Sequence, residues 1–205
     1  EQGLPVEWVA LSGGARISLE SGTENMDWCA AVVRRIVQFT QRGGRVIVIV
    51  AGVNVGAQSY WNAEATMLNH CAGLLVMVDG SSMILTGHRA LAIAGGDSEN
   101  SDGALGGYDG VMGHNGEAHH RAPDIASAYR IVFAYHRLFG TTTPTTDPVD
   151  RDICVDPYQG PGDRHTVGAV LEGASNPGRK VPFAIRPVMA SLVDRDAARA
   201  ERWQD

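Results

Sequence analysis

The chain has 205 residues, 44% hydrophobic and 20% charged, with a formal net charge of -6. That size and composition suit one ordinary domain, or one with an appendage, and exclude an intrinsically disordered chain. The acidic balance and the lack of a basic run exclude a chain built to track nucleic-acid phosphates.

A short strand is predicted over Val6 to Leu11, ending at Ser12-Gly13-Gly14. The polar cluster Ser21-Gly22-Thr23-Glu24 suits a helix start. Met26, Cys29, Val32, Val33, Ile36 and Val37 then recur at helical spacing as far as Gln41, and Gly43-Gly44 stops that helix. Val46 to Ala51 is a continuous apolar run, as expected of a strand covered on both faces. Gly52 to Gln58 reads as a glycine-bearing loop feeding a helix from about Ser59 to His70. Gly73 to Val78 is a second buried strand, and Ser82 to Thr86 a short extended piece. Helices are predicted over His88 to Ala94 and Asp124 to Phe139. This alternation implies an α/β fold with a largely parallel sheet.

Beyond Gly140 the texture changes. Thr141 to Asp147 and Pro157 to Gly162 read as loop or linker. Asp163 to Glu172 suits a short helix, the stretch from Asn176 a turn, and Ile185 to Val193 a new helical pattern. The chain opens at Glu1 almost directly into strand pattern and closes in the charged stretch Asp194 to Asp205, so a piece of something longer is expected. The three cysteines (Cys29, Cys71 and Cys154) are odd in number and in no metal spacing, which fits reduced thiols. No leader pattern and no apolar run long enough to cross a bilayer is apparent. A soluble, cytoplasmic protein with no metal, nucleic-acid or membrane partner is expected.

Two glycine-bearing segments follow buried strands, Ser12 to Ile17 and Gly52 to Ala57. Glycine admits positive φ and lets a ligand approach the backbone. Amides at a helix start lack intrahelical acceptors and point outward. Two such turns side by side could hold a developing oxyanion, although glycine after a strand is more often a plain turn.

Longer motifs carry a resemblance. Ser12-Gly-Gly-Ala-Arg-Ile17 resembles a signature of acyl-CoA carboxyltransferases. Ser21 to Trp28, Gly52 to Gln58 with Thr66-Met-Leu68, Met83 to Gly87, Leu105 to Gly116, and Asn176 to Lys180 with Pro182-Phe183 follow in the same order. They are similar to the carboxyltransferase part of fused, single-chain biotin-dependent acyl-CoA carboxylases, acetyl- or propionyl-CoA carboxylases among them. The resemblance implies a crotonase (ClpP-like) spiral of ββα units, here incomplete at its amino-terminal end. It implies an acyl-CoA-binding core over residues 1–140, a linker and inter-half segment over 141–186, and the start of a biotin-side half over 187–205. It further implies an acyl-CoA substrate, carboxybiotin bound mainly by the missing half, partner biotin carboxyl carrier and biotin carboxylase domains, and a homo-oligomer. The isolated piece is expected to be inactive. The chain departs from many relatives in carrying Gly56-Ala57 in place of a glycine pair, in the acidic stretch Asp97 to Asp102, and in lacking a four-cysteine zinc ribbon.

The chemistry implied needs charge stabilisation rather than a nucleophile, and no GxSxG elbow is present. Backbone amides of Gly14 or Ala15 and of Gly56 or Ala57 are the expected enolate donors, with Gly106, Gly107, Tyr108 and Arg16 as substrate contacts. Arg16 fits CoA phosphates or a neighbouring carboxylate equally well. His114, Glu117, His119 and His120 are metal-ligand types in no familiar zinc spacing. They are expected to begin a helix. His88-Arg89 reads as solvated surface, and Trp28, Tyr60 and Trp61 as core or interface. A stand-alone hydratase or isomerase, with Glu64 or Asp79 as base, and a non-catalytic CoA-binding or assembly fragment are the rival readings.

Overall fold

Five consecutive β-branched residues, Val46 to Val50, set the frame. Such side chains are stiff at χ1 and pack well on a pleated surface. In this computed structural model, which describes residues 4–15, 20, 24–66, 73–95, 101–140, 178 and 180, all five are at most 4% exposed. They open β2 (Val46–Val55), the middle strand of a five-stranded sheet. β1 (Val6–Ser12) pairs along one edge of β2. Along the other edge, β3 (Leu74–Val78) pairs with residues 47–50 and β4 (Ser82–Ile84) with residues 53–55. β5 (His120–Ala122) lies beyond β3. Every pairing is parallel, as the strand–helix alternation predicts.

The helices are α1 (Glu24–Gln41), α2 (Ala57–Thr66), α3 (His88–Ile93), α4 (Asp102–Gly106) and α5 (Ile125–Gly140), with a single π turn at Tyr108–Met112. α1 packs on α2, and α2 on β2. The core gathers Ala10, Val48, Val50, Leu75, Met77 and Met83 with Ile36 and Ala65 from the helices. Trp8 and Trp61 stack beside it, ring centres 6.0 Å apart, and the Trp61 indole donates to the Cys29 carbonyl at 3.2 Å. Asp124, taken as the first residue of a helix, is instead the cap of α5: its carboxylate accepts from the Ser127 amide at 2.6 Å.

Three expectations are corrected. The strand does not stop before Gly52. It runs to Val55 through a bulge, where register jumps from Ala10↔Val50 to Ser12↔Asn54, and α2 therefore begins at Ala57. Residues 105–116, which no predicted element covers, are largely the end of α4 and the π turn. The His-rich segment after Asn115 leads into β5, not a helix. β5 has no apolar run of its own. It is held by pairing with Val76 to Val78.

The chain divides into two compact units, residues 1–134 with 202–205, and residues 135–201. The site lies in the first. Arg16, the cap at Ser21 to Thr23, the end of the second predicted helix, Cys71, Cys154 and, apart from Gly178 and Lys180 of the expected turn, every element expected beyond residue 140 lie outside the described residues. No helix among the described residues is long and apolar enough to cross a membrane.

Candidate functional site

In a parallel sheet all strands deliver their carboxyl ends to the same side. The register Ser12↔Asn54 therefore sets the turn after β1 beside the turn after β2. Gly14 has φ +92° and Gly56 φ +66°, conformations that cost L side chains strain. The turn after β1 lies against the end of β2: a Cβ at Gly14 would stand 3.5 Å from the Cβ of Val55, the residue before Gly56.

The amides are not equivalent. The Gly56 N–H donates to the Ile84 carbonyl at 2.8 Å, so the fold has already used it. The Gly14 N–H has the Ser12 hydroxyl as an acceptor at 3.3 Å. Ala57 is the first residue of α2, and its amide has no intrahelical acceptor and sits at the positive end of the helix dipole. Ala15 follows Gly14 on the exposed rim. Of each expected pair, Ala15 and Ala57 are the residues whose amides have no backbone acceptor among the described turns and caps.

A buried polar chain, missed in the sequence, fixes these turns. Asn54 is fully buried, and its Nδ2 donates to the carbonyls of Ala10 at 3.1 Å and Gly52 at 3.0 Å. It thus ties both strands together at the bulge. Asn62 donates to Asn54 Oδ1 at 3.1 Å, and Gln58 to Asn62 Oδ1 at 2.8 Å. Ser59 donates to the carbonyls of Asn54 and Ile84 at 3.0 and 3.2 Å. Buried amides and hydroxyls satisfied in this way rigidify what they join. The available signal was polar residues at core-facing positions of a helix after a glycine turn.

A cavity of about 560 Å³ opens beside Ile84, the residue that accepts from the Gly56 amide; Gly14, Ala15, Gly56 and Ala57 do not line it. Ser59, Tyr60 and Ala63 of α2 form one wall, residues 83–86 another, and Leu91, Leu105, Met112, Asn115 and Glu117 the rest. The lining is mostly apolar with a few polar groups, the usual make-up of a small-molecule pocket. Glu117 is 6% exposed, and its Oε1 has no hydrogen-bond partner among the described residues. Burial pushes its carboxyl up to about 7.

The remaining expected residues scatter. Gly106, Gly107 and Tyr108 do not line this cavity. Gly106 is needed for packing: a Cβ there would stand 2.0 Å from the Met83 carbonyl oxygen. Tyr108 packs against the core. Asp79 is held by Arg121, whose guanidinium also reaches Asp109 at 3.0 Å, and the hydrogen bond from Arg121 lowers the Asp79 pKa. Asp79 is thus a poor base, and Glu64 is not in the lining. His119 is buried with Nδ1 accepting from the Leu75 amide at 2.9 Å. Among the described residues no three His, Cys, Asp or Glu gather as a metal would require. His88, taken for solvated surface, is half-buried and paired with Asp102 at 2.9 Å. Trp61 packs in the core as expected, whereas Trp28 is 66% and Tyr60 57% exposed.

The family model for the carboxyl transferase domain matches residues 1–200. No curated protein sequence matches the chain. Among solved structures it is similar to transcarboxylase 12S with methylmalonyl-coenzyme A and methylmalonic acid bound, at 25% identity and TM-score 0.53, over 66% of this chain and 24% of that one. A second transcarboxylase 12S structure, with hydrolysed methylmalonyl-coenzyme A, gives 22% identity and TM-score 0.62 over 95% and 34%. That protein is described as a hexamer that binds substrate in a multienzyme core. The present chain spans a quarter to a third of its length. The parallel α/β arrangement is the crotonase-like carboxyltransferase fold of those structures.

Proposed function

The chain belongs to the carboxyl transferase domain family, and on that footing we propose that it holds the acyl-CoA thioester in a biotin-dependent carboxylation and stabilises the enolate formed at its α-carbon. The observation that carries the proposal is the approach of the Gly14 turn to Val55, the residue before Gly56, near a largely apolar cavity. The amides of Ala15 and Ala57 converge on the thioester oxygen as charge builds there. The acyl chain enters the cavity behind them. Amides fixed by the Asn54 frame need little reorganisation during the reaction, which is where such donors gain their effect.

Biotin on its carrier, when bound, supplies the carboxyl group and the base. The donor set here fits that division. The turns offer amide hydrogens and no nucleophile, and the nearby Asp79 is engaged by Arg121. The residues of this chain bind, orient and hold charge. On this reading residues 1–140 are the acyl-CoA core, 141–186 a linker and 187–205 the start of the biotin-side half. The partners are carrier and biotin carboxylase domains and further copies of the chain. Arg16 and Tyr108 stay in the proposal as contacts to the CoA moiety and the rim of its site.

The test is Ala57→Pro. Proline is well tolerated at the first position of a helix, where it removes only the amide hydrogen. Carboxyl transfer to acyl-CoA in the assembled enzyme should fall by roughly 100- to 1000-fold while circular dichroism and melting stay near wild type. Unchanged transfer would refute the donor assignment. Gly56 is the wrong place for this test, because its amide already serves Ile84. A stand-alone hydratase remains the second reading, favoured by one observation: a buried carboxyl, Glu117, on the same cavity. Hydration of an enoyl-CoA by this chain without any biotin-bearing partner would select it.

A further inference from the structure

Glu117 is not used by the reaction proposed above, yet its surroundings are specific. The side chain is 94% buried, being 6% exposed. Its Oε1 has no partner among the described residues, and no ion pair reaches it there. Its position is set by the backbone: its amide donates to Asn115 Oδ1 at 2.9 Å, Gly116 before it has φ +77°, and Ala118 after it donates to the Met112 carbonyl at 2.8 Å. The cavity wall it shares is largely apolar, with Met83, Ile84, Leu85, Leu91, Leu105 and Met112, and carries Ser59, Tyr60, Thr86 and Asn115 as its other polar residues.

An ionised carboxylate in such a place has no compensation for its lost hydration. The neutral acid avoids that cost, and burial favours it up to a pKa of about 7. The neutral acid in turn carries an O–H that needs an acceptor; Oε1 has no partner among the described residues, and of the polar lining residues Asn115 already accepts from the Glu117 amide and Ser59 is spent on the Asn54 and Ile84 carbonyls. A ligand oxygen in the cavity can supply that acceptor. A saturated acyl chain cannot, and an oxygen-bearing one can.

We propose that Glu117 is a specificity-determining residue whose carboxyl donates a hydrogen bond to an oxygen on the acyl chain, so that the pocket favours oxygenated acyl-CoA over saturated acyl-CoA of the same length. This rests on the acyl-CoA reading of the cavity and names the substrate class within it. It places the protein after a reaction that leaves a hydroxyl or oxo group on a CoA thioester.

The experiment is calorimetric titration of the assembled enzyme with saturated and 3-hydroxy acyl-CoA of four and six carbons, for wild type, Glu117→Gln and Glu117→Leu. Wild type should bind the hydroxylated member of each pair about tenfold more tightly, the size of one well-made hydrogen bond. Glu117→Gln keeps a donor in place and should keep the preference. Glu117→Leu should lose it while binding the saturated chain at least as well. Equal affinity within each pair in wild type overturns the proposal, as does a preference that survives in Glu117→Leu. If wild type binds and carboxylates the saturated thioesters without discrimination, only the Glu117 assignment falls. If no thioester binds, the acyl-CoA reading falls with it.

Discussion

Glu117 also has a consequence for stability that is separate from any ligand. Its carboxyl is raised from 4.5 to about 7 in the folded chain. The folded state therefore holds a proton that the unfolded chain releases. The stabilisation is fully present below about 4.5 and is lost as pH rises through 7, a difference of about 3 kcal/mol once both forms have titrated. Glu117→Gln removes the titration. The variant should melt above wild type at pH 8 and show no such advantage at pH 4.5, which thermal melts across that range would check. Identical pH profiles would mean that Glu117 is not buried as a neutral acid. In the sequence this residue was read only as one member of a cluster of possible metal ligands. Nothing local distinguishes a buried glutamate from a solvated one, because the cavity it lines is shared with residues 83–85 and 91, far away along the chain. Asn54 was hidden for a related reason. It belongs to a glycine-bearing stretch that reads as loop, and only pairing across to Ala10 turns it into a strut.

At the level of elements, what the chain pattern made legible was what its own apolar runs declare. β1, β2, β3 and α1 announce themselves, and so does the parallel sheet. Where glycine interrupts, local reading stops too early, since a bulge held by a side-chain amide can carry a strand past Gly52. Where an element owes its existence to its neighbours, as β5 and the π turn do, no run exists to be read. Gly106 shows the converse. It was read as a substrate contact, and it is the point where α4 lies against β4. Gly106→Ala would press a methyl group into the Met83 carbonyl and should cost about 1–3 kcal/mol, as overpacking does. Leu105, its neighbour, lines the cavity. The Michaelis constant for acyl-CoA should therefore rise more than the turnover number falls, and steady-state kinetics with a melting curve would check both. A variant with wild-type melting and kinetics would show that the approach of α4 to β4 is not rigid.

For the molecule as a whole, the notable surface is β1. It stands at the end of the strand order β1-β2-β3-β5. Leu4 is 63% exposed and Leu11 71%, with Val6 and Val9 close to half exposed. A strand at the edge of the described sheet with exposed apolar side chains is a template for association. This chain on its own should self-associate with rising concentration, and Leu11→Lys should shift that association to about tenfold higher concentration, the equivalent of losing one buried leucine. Light scattering coupled to size exclusion would measure it. A wild-type chain that stays monomeric at high concentration would show that this face needs no cover.

The hydrogen bond from Gly56 to Ile84 dictates an order of events in time. The bond spans 28 residues of chain, about as many as the 27 between Ile47 and its partner Leu74 and fewer than the 40 between Val6 and Val46. Shorter closures form sooner. The turn after β2 is thus pinned along with β3 and β4, ahead of the docking of β1. In a refolding experiment with pulsed deuterium labelling, the amide of Gly56 should become protected before that of Val6, which donates to the Arg45 carbonyl.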